Sequence, residues 1–251
     1  MGLAGLVIAF IVLALAGFSK GITGMGIPFV ATPVLTLLYG LPTAIAITMP
    51  VTVLTDIIML IHSSKSWRVI KRGIILMLSG GLGIVSGTFI LININPNILS
   101  GILGTILLLF VCSSYLSILP KFAKSPPKWV DGIFGVFCGN LQGAAGASGP
   151  IVSMYLFQMN ISRKDFLFLI NCFFVVLDVT QLSTITTLGF YEGNKLFPYS
   201  LLAIFPSLIG LWVAFKLNKK ITDNIFKHSI LILITINGVL LLFKFVFSFY
   251  E

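Results

Sequence analysis

The chain has 251 residues, 57% of them apolar and 9% charged, with a formal net charge of +9. So few charges cannot coat a soluble domain of this length, and the solvent the sequence is built for is lipid. The excess of Lys and Arg is gathered in short patches between apolar runs, which excludes a nucleic-acid-binding face and points to membrane topology.

Residues 1–19 carry no charge, and the apolar run continues past Lys20, as a mature membrane segment does and a cleaved leader does not. A helical hairpin is expected from Leu3 to Tyr39, interrupted where the chain reads Gly17-Phe18-Ser19-Lys20-Gly21-Ile22-Thr23-Gly24-Met25-Gly26-Ile27-Pro28. Glycine permits unwound backbone there, and proline lacks the donor that would continue a helix. A crossing over 42–64 follows, with Asp56 near its middle. Gly73 to Asn93 and Asn97 to Leu119 are uncharged and about 20 residues long, the length a helix needs to span hydrocarbon. Alternating short segments of the kind a membrane β-barrel shows do not occur.

The polar stretch Pro120 to Lys128, with Pro126 and Pro127 as breakers, marks a boundary. Beyond it a second hairpin is expected over Val130 to Asn160, containing Gly139-Asn140-Leu141-Gln142-Gly143-Ala144-Ala145-Gly146-Ala147-Ser148-Gly149-Pro150. Crossings from Phe166 to Phe190, with Asp178 inside, and from Leu196 to Phe215 precede a last helix. Cys112, Cys138 and Cys172 have neither paired nor metal-type spacing and read as small core residues.

The two hairpins are related by a constant offset. Gly17, Gly21, Gly24 and Pro28 fall on Gly139, Gly143, Gly146 and Pro150, 122 residues on, and Asp56 falls on Asp178. Charge gives an independent count. Short cytoplasmic loops collect Lys and Arg, so Lys65/Arg68/Lys71/Arg72, Lys121/Lys124/Lys128, Arg163/Lys164 and Lys216/Lys219/Lys220/Lys227 are all placed inside. Neighbouring patches must then be separated by an even number of crossings, which leaves each half with one hairpin and three crossings. An odd number of crossings per half turns the second copy upside down. The expected fold is therefore all-α: a polytopic membrane protein of two inverted-topology repeats, about five helical segments each, with a broken or re-entrant glycine-rich hairpin in each. The boundaries are a first repeat over 1–119, a cytoplasmic linker over 120–129 and a second repeat over 130–251, with both termini outside.

A helix break exposes amide donors at the start of the next helix, where the dipole also favours negative charge. Within a membrane, such backbone is tolerated where protein or a water-filled cavity satisfies it. Paired breaks in inverted repeats point to a transporter's substrate site. The amides near Gly21, Gly24, Gly26, Gly143 and Gly146 are thus candidate anion donors, with Thr23, Gln142 and Ser148 as further donors. Close helix packing by small residues is the alternative for any single glycine. Lys20, a cation beside a break, is left with three partners: an anionic substrate, an acid, or the interface. Its counterpart, Gln142, is uncharged. Asp56 and Asp178, at membrane depth, are either proton- or sodium-coupling groups or structural acids that hold the hairpins open.

These residues resemble the TauE/SafE sulfite and sulfonate exporter family. The Gly17–Pro28 stretch is similar to the family's first motif in its lysine-bearing form, and Gly143–Pro150 to its second, over essentially the whole chain. Met25 and Ile27 stand where many members have a longer glycine run. The resemblance implies an inner-membrane exporter of sulfite, sulfoacetate or related small anions working by alternating access, with uptake coupled to protons or sodium and a non-transporting scaffold as alternatives. The partners expected are a small inorganic or organic anion and the lipid bilayer, without nucleic acid, metal or cofactor, and with a homodimer left open. No enzymatic activity is expected. Gly146-Ala147-Ser148-Gly149 does fit the motif of intramembrane serine proteases, but His62 and His228 lie at helix ends, away from a Ser148 nucleophile that would need a base.

Overall fold

The computed structural model describes residues 3–25, 27–63, 67–93, 95–115, 126–146, 148–159, 161–192, 196–217 and 222–248. Among these the protein is all-helical. The helices are α1 (Leu3–Thr23), α2 (Thr32–Tyr39), α3 (Leu41–His62), α4 (Trp67–Asn93), α5 (Pro96–Tyr115), α6 (Lys128–Ala145), α7 (Gly149–Gln158), α8 (Arg163–Thr187), α9 (Leu196–Leu217) and α10 (Asp223–Phe247). A π-helical turn, Ile27–Ala31, leads into α2. Most of the expected polar linker lies outside the described residues, and α6 already begins at Lys128.

The molecule is built inside out relative to a soluble domain. Leu82 and Ile61 are 75% and 73% exposed, whereas Lys20 and Asp56 are 1% and 0% exposed. That arrangement is stable where lipid surrounds the chain and the polar groups find one another inside. Among the described residues five helices are long and apolar enough to cross a membrane: Gly5–Thr23, Leu41–His62, Val69–Ile90, Arg163–Thr187 and Leu196–Leu217. The chain is a multi-pass membrane protein. The returning arms of the hairpins are another matter, since α7 has 10 residues and the first arm has the 5 of the π-helical turn and the 8 of α2. At 1.5 Å per residue neither crosses a hydrocarbon core of about 30 Å. Each hairpin thus joins a long entering helix to a short returning one. Cys138 and Cys172 are buried as expected, but Cys112 is exposed, because its side of α5 faces outward.

Packing follows a simple exchange. α1 lies along α9 and α6 along α4; α3 packs on α9 and α8 on α4; α3 meets α8, and α5 meets α10. Swapping α1 with α6, α3 with α8, α4 with α9 and α5 with α10 returns the same set of pairs. Helix ends recur in step: Thr23 and Ala145, Ile27 and Gly149, and Leu41 and Arg163 are each 122 residues apart.

Glycine makes the two long contacts possible. A Cβ on Gly17 would stand 2.0 Å from the Ser207 carbonyl oxygen of α9, and one on Gly139 would stand 2.1 Å from the Gly80 carbonyl oxygen of α4. A Cβ on Gly21 would stand 2.4 Å from the Ala214 methyl of α9, and one on Gly143 2.4 Å from the Ile84 carbonyl oxygen of α4. Backbones this close are what small residues at regular spacing provide in membrane bundles. Gly17→Ala and Gly139→Ala are each expected to lower stability by about 1–3 kcal/mol through overpacking. The check is the loss of monodisperse protein on heating in detergent, where an unchanged transition would show that the helices separate freely.

Candidate functional site

The two hairpins break at corresponding residues and in the same way. Gly24 has φ 78° and Gly146 φ 66°, both in the left-handed region that glycine alone enters without strain. The Gly24 amide donates to the Lys20 carbonyl at 2.8 Å, and the Gly146 amide to the Gln142 carbonyl at 2.7 Å. Each break therefore closes the turn that bears the polar side chain of its own hairpin.

Thr23 secures the first break from within. Its hydroxyl reaches the Ser19 carbonyl at 2.9 Å and the Met25 carbonyl at 2.7 Å, and it lies 3.2 Å from the Met25 amide, which donates to it. In the second hairpin Gln142 takes this part. Its Oε1 accepts from the Ser148 hydroxyl at 2.8 Å and the Ser148 amide at 3.3 Å.

The expected acids complete the pattern. Lys20 Nζ is paired with Asp56 Oδ1, and Gln142 Nε2 donates to Asp178 Oδ1 at 3.1 Å. Both pairs span 36 residues of sequence, one in each half of the chain. Of the three partners the sequence leaves to Lys20, the structure shows the acid. The Lys20 ammonium also lies 5.4 Å from the centroid of the Phe174 ring, within range of a cation–π contact.

The hairpin tips meet between the halves. A Cβ on Gly146 would be 3.2 Å from Cβ of Pro28, and one on Gly149 would be 3.3 Å from the Met25 sulfur. Between them a cavity of about 10 Å³ is lined by Lys20, Met25, Thr52, Gln142, Gly146 and Phe174. It has room for about one water.

Lys20, Gln142 and Gly146 therefore converge on one space, with Ser148 behind Gln142 and Gly24 closing the Lys20 turn. Gly21 and Gly143 sit instead at the helix contacts described above, and Gly26 lies outside the described residues. Thr52, Phe174 and Gln181 were not anticipated. Thr52 and Phe174 are themselves 122 residues apart and face the same cavity. Gln181, one turn beyond Asp178, donates to the Gly143 carbonyl at 3.1 Å and so ties α8 to the second hairpin. The foot of that hairpin has its own clasp, where the Tyr155 hydroxyl of α7 donates to the Asp131 carboxylate of α6.

Ser148 is bonded to an amide oxygen, and the His62 ring stacks on Phe215 at 4.2 Å. Among the described residues no histidine meets Ser148, and no group of three His, Cys, Asp or Glu side chains is placed to hold a metal. What the site does offer is a buried ammonium, two amide or hydroxyl donors and two helix breaks around a small cavity.

A family model described as Sulfite exporter TauE/SafE matches residues 9–241. No curated protein and no solved structure matches the chain.

Proposed function

The chain belongs to the sulfite exporter TauE/SafE family, and from that premise we propose that it is a secondary transporter that exports small sulfur-containing anions, sulfite or sulfonates such as sulfoacetate, by alternating access at the meeting point of the two hairpins. The observation that carries this reading is Lys20, a fully buried ammonium on the wall of the cavity between the breaks. A buried cation in a membrane protein is costly to keep, and an anionic substrate gives it a use.

In this reading Lys20, Gln142 and Ser148 hold the anion once the tips part, which frees the Met25 amide from Thr23 and the Ser148 amide and hydroxyl from Gln142. The cavity of about 10 Å³ is far too small for a sulfonate group, so the hairpin tips must part to admit one. The pairing of helices across the halves, with α1 on α9 and α6 on α4, supports two inverted bundles rocking about α3 and α8. Orientation follows from the basic patches, which places Lys71, Arg72, Arg163 and Lys164 on the cytoplasmic side of an inner membrane.

The test is charge movement by the purified protein in liposomes, over a panel of sulfite, sulfoacetate, thiosulfate, chloride and small carboxylates. A saturable current for the sulfur anions, absent from Lys20→Ala vesicles, is the expected result. Currents for chloride or carboxylates alone would move the substrate class. Absence of both current and tracer flux for every anion would end the transporter reading.

A further inference from the structure

The group around Lys20 is short of one positive charge and one hydrogen-bond donor. Lys20 supplies a single charge, whereas Asp56 and Asp178, both 0% exposed, would carry two negative charges if both were ionised. The atoms show the same deficit. Asp56 Oδ1 takes Lys20 and Asp178 Oδ1 takes Gln142, but Oδ2 of each carboxyl has no N–H or O–H partner. The two side chains sit on α3 and α8, which pack against each other, and each carboxyl feels the charge of the other. Two carboxylates are acceptors only and cannot bond to each other.

One proton supplies both missing things. We propose that Asp56 and Asp178 hold a single proton between them, and that this proton keeps the Lys20–Asp56–Asp178 group neutral so that Lys20 can be shared with a substrate anion. Like-charged carboxyls in contact do not both ionise. A sodium ion would bring the charge too, but as a hard cation it needs a shell of oxygens, and Oδ1 of each carboxyl is already engaged by Lys20 or Gln142. Among the described residues, Lys20 of α1 is the charged group outside the pair that acts on either carboxyl, and Gln142 of α6 is the neutral donor. Of the titratable groups on other elements around α3 and α8, Asp131 of α6 accepts from Tyr155 of α7, and Lys216 of α9 lies over the Trp212 ring.

The placement gives the proton its consequence. α3 and α8 exchange with each other when the halves are swapped, so the pair lies where the halves meet. When the proton leaves at alkaline pH, the group carries a net negative charge beside the cavity and repels an anion. Binding and proton retention are then linked, and flux falls by up to tenfold per pH unit above the pair's pKa. In Asp178→Asn, the Lys20–Asp56 ion pair is neutral without a bound proton, and that dependence is lost.

The second clause of the proposal rests on the carrier reading; the first does not, and infrared spectroscopy separates them. Full-length protein in liposomes is titrated while the carboxylic-acid C=O absorption is followed. The wild type is expected to show, at neutral pH, a one-group band that the Asp178→Asn spectrum lacks. Asp56→Asn must lose it too, because asparagine keeps the volume and leaves Asp178 ionised against Lys20. A wild-type-minus-variant difference without that band, for both variants, would overturn the shared proton whether or not the protein transports. Flux that keeps its alkaline loss in Asp178→Asn would overturn the link to Lys20. Absence of flux in the wild type beside an intact band would sink the carrier reading and leave the proton in place.

Discussion

Lys20→Met is expected to cost about 3–5 kcal/mol of stability, and adding Asp56→Leu to it is expected to return most of that loss while transport stays abolished. Lys20 and Asp56 are 1% and 0% exposed and face each other directly. Removing the ammonium leaves a carboxyl group with no counter-charge among apolar helices, where breaking a buried pair is far more damaging than never having had one. Replacing both residues by apolar side chains removes the uncompensated charge along with its partner. Asp56→Leu alone is expected to cost less than Lys20→Met, because Asp178, which also feels the Lys20 charge, remains as a second acid for it.

The readout is the melting of monodisperse protein in detergent for the wild type, both single variants and the double variant. A large non-additive recovery in the double variant is the signature of a coupled pair. Anion flux is measured on the same four proteins. If flux returned with stability, Lys20 would be a strut and the helix-break amides would be sufficient for the anion. Additive losses would mean that the two side chains do not depend on each other.

Much of this site is legible in the residues, and the parts that are not have physical reasons. Gly24 and Gly146 declare themselves because each stands four positions before a proline, at the point where a helix must stop, and both adopt left-handed φ. The Asp56 and Asp178 equivalence is visible as an offset, but their partners are not. Lys20 has a long, flexible side chain, and nothing in its neighbours along the chain decides among substrate, acid and interface.

Gly21 and Gly143 look no different in sequence from the glycines at the breaks. Their role depends on the rotation of α1 and α6 about their own axes, which turns these positions toward α9 and α4. Thr23 was expected to offer a donor to the substrate, and its hydroxyl is instead engaged with the backbone of its own turn. Thr52, Phe174 and Gln181 are of types common throughout membrane helices. Only the meeting of α3 and α8 with the hairpin tips distinguishes them.

At an interior-negative potential of 100 mV, a monovalent sulfonate that the carrier accepts is expected to reach a concentration ratio of about fifty, outside over inside. If the proton between Asp56 and Asp178 stays with the protein, the group bearing Lys20 is neutral before the anion binds, and the loaded site carries the anion's single negative charge across. Moving that charge through 100 mV is worth about 2.3 kcal/mol. Halving the potential should reduce the ratio to about seven, the square-root dependence that one charge per cycle requires. A potassium gradient with an ionophore sets the potential in liposomes, and the distribution of the anion at equilibrium gives the ratio directly. It should not respond to a pH gradient imposed at fixed potential. A ratio that ignored the potential and followed the pH gradient, tenfold per unit, would mean that the proton leaves with the anion. The carrier would then be an electroneutral symporter, and the membrane potential would no longer supply a reason for the anion to go outward.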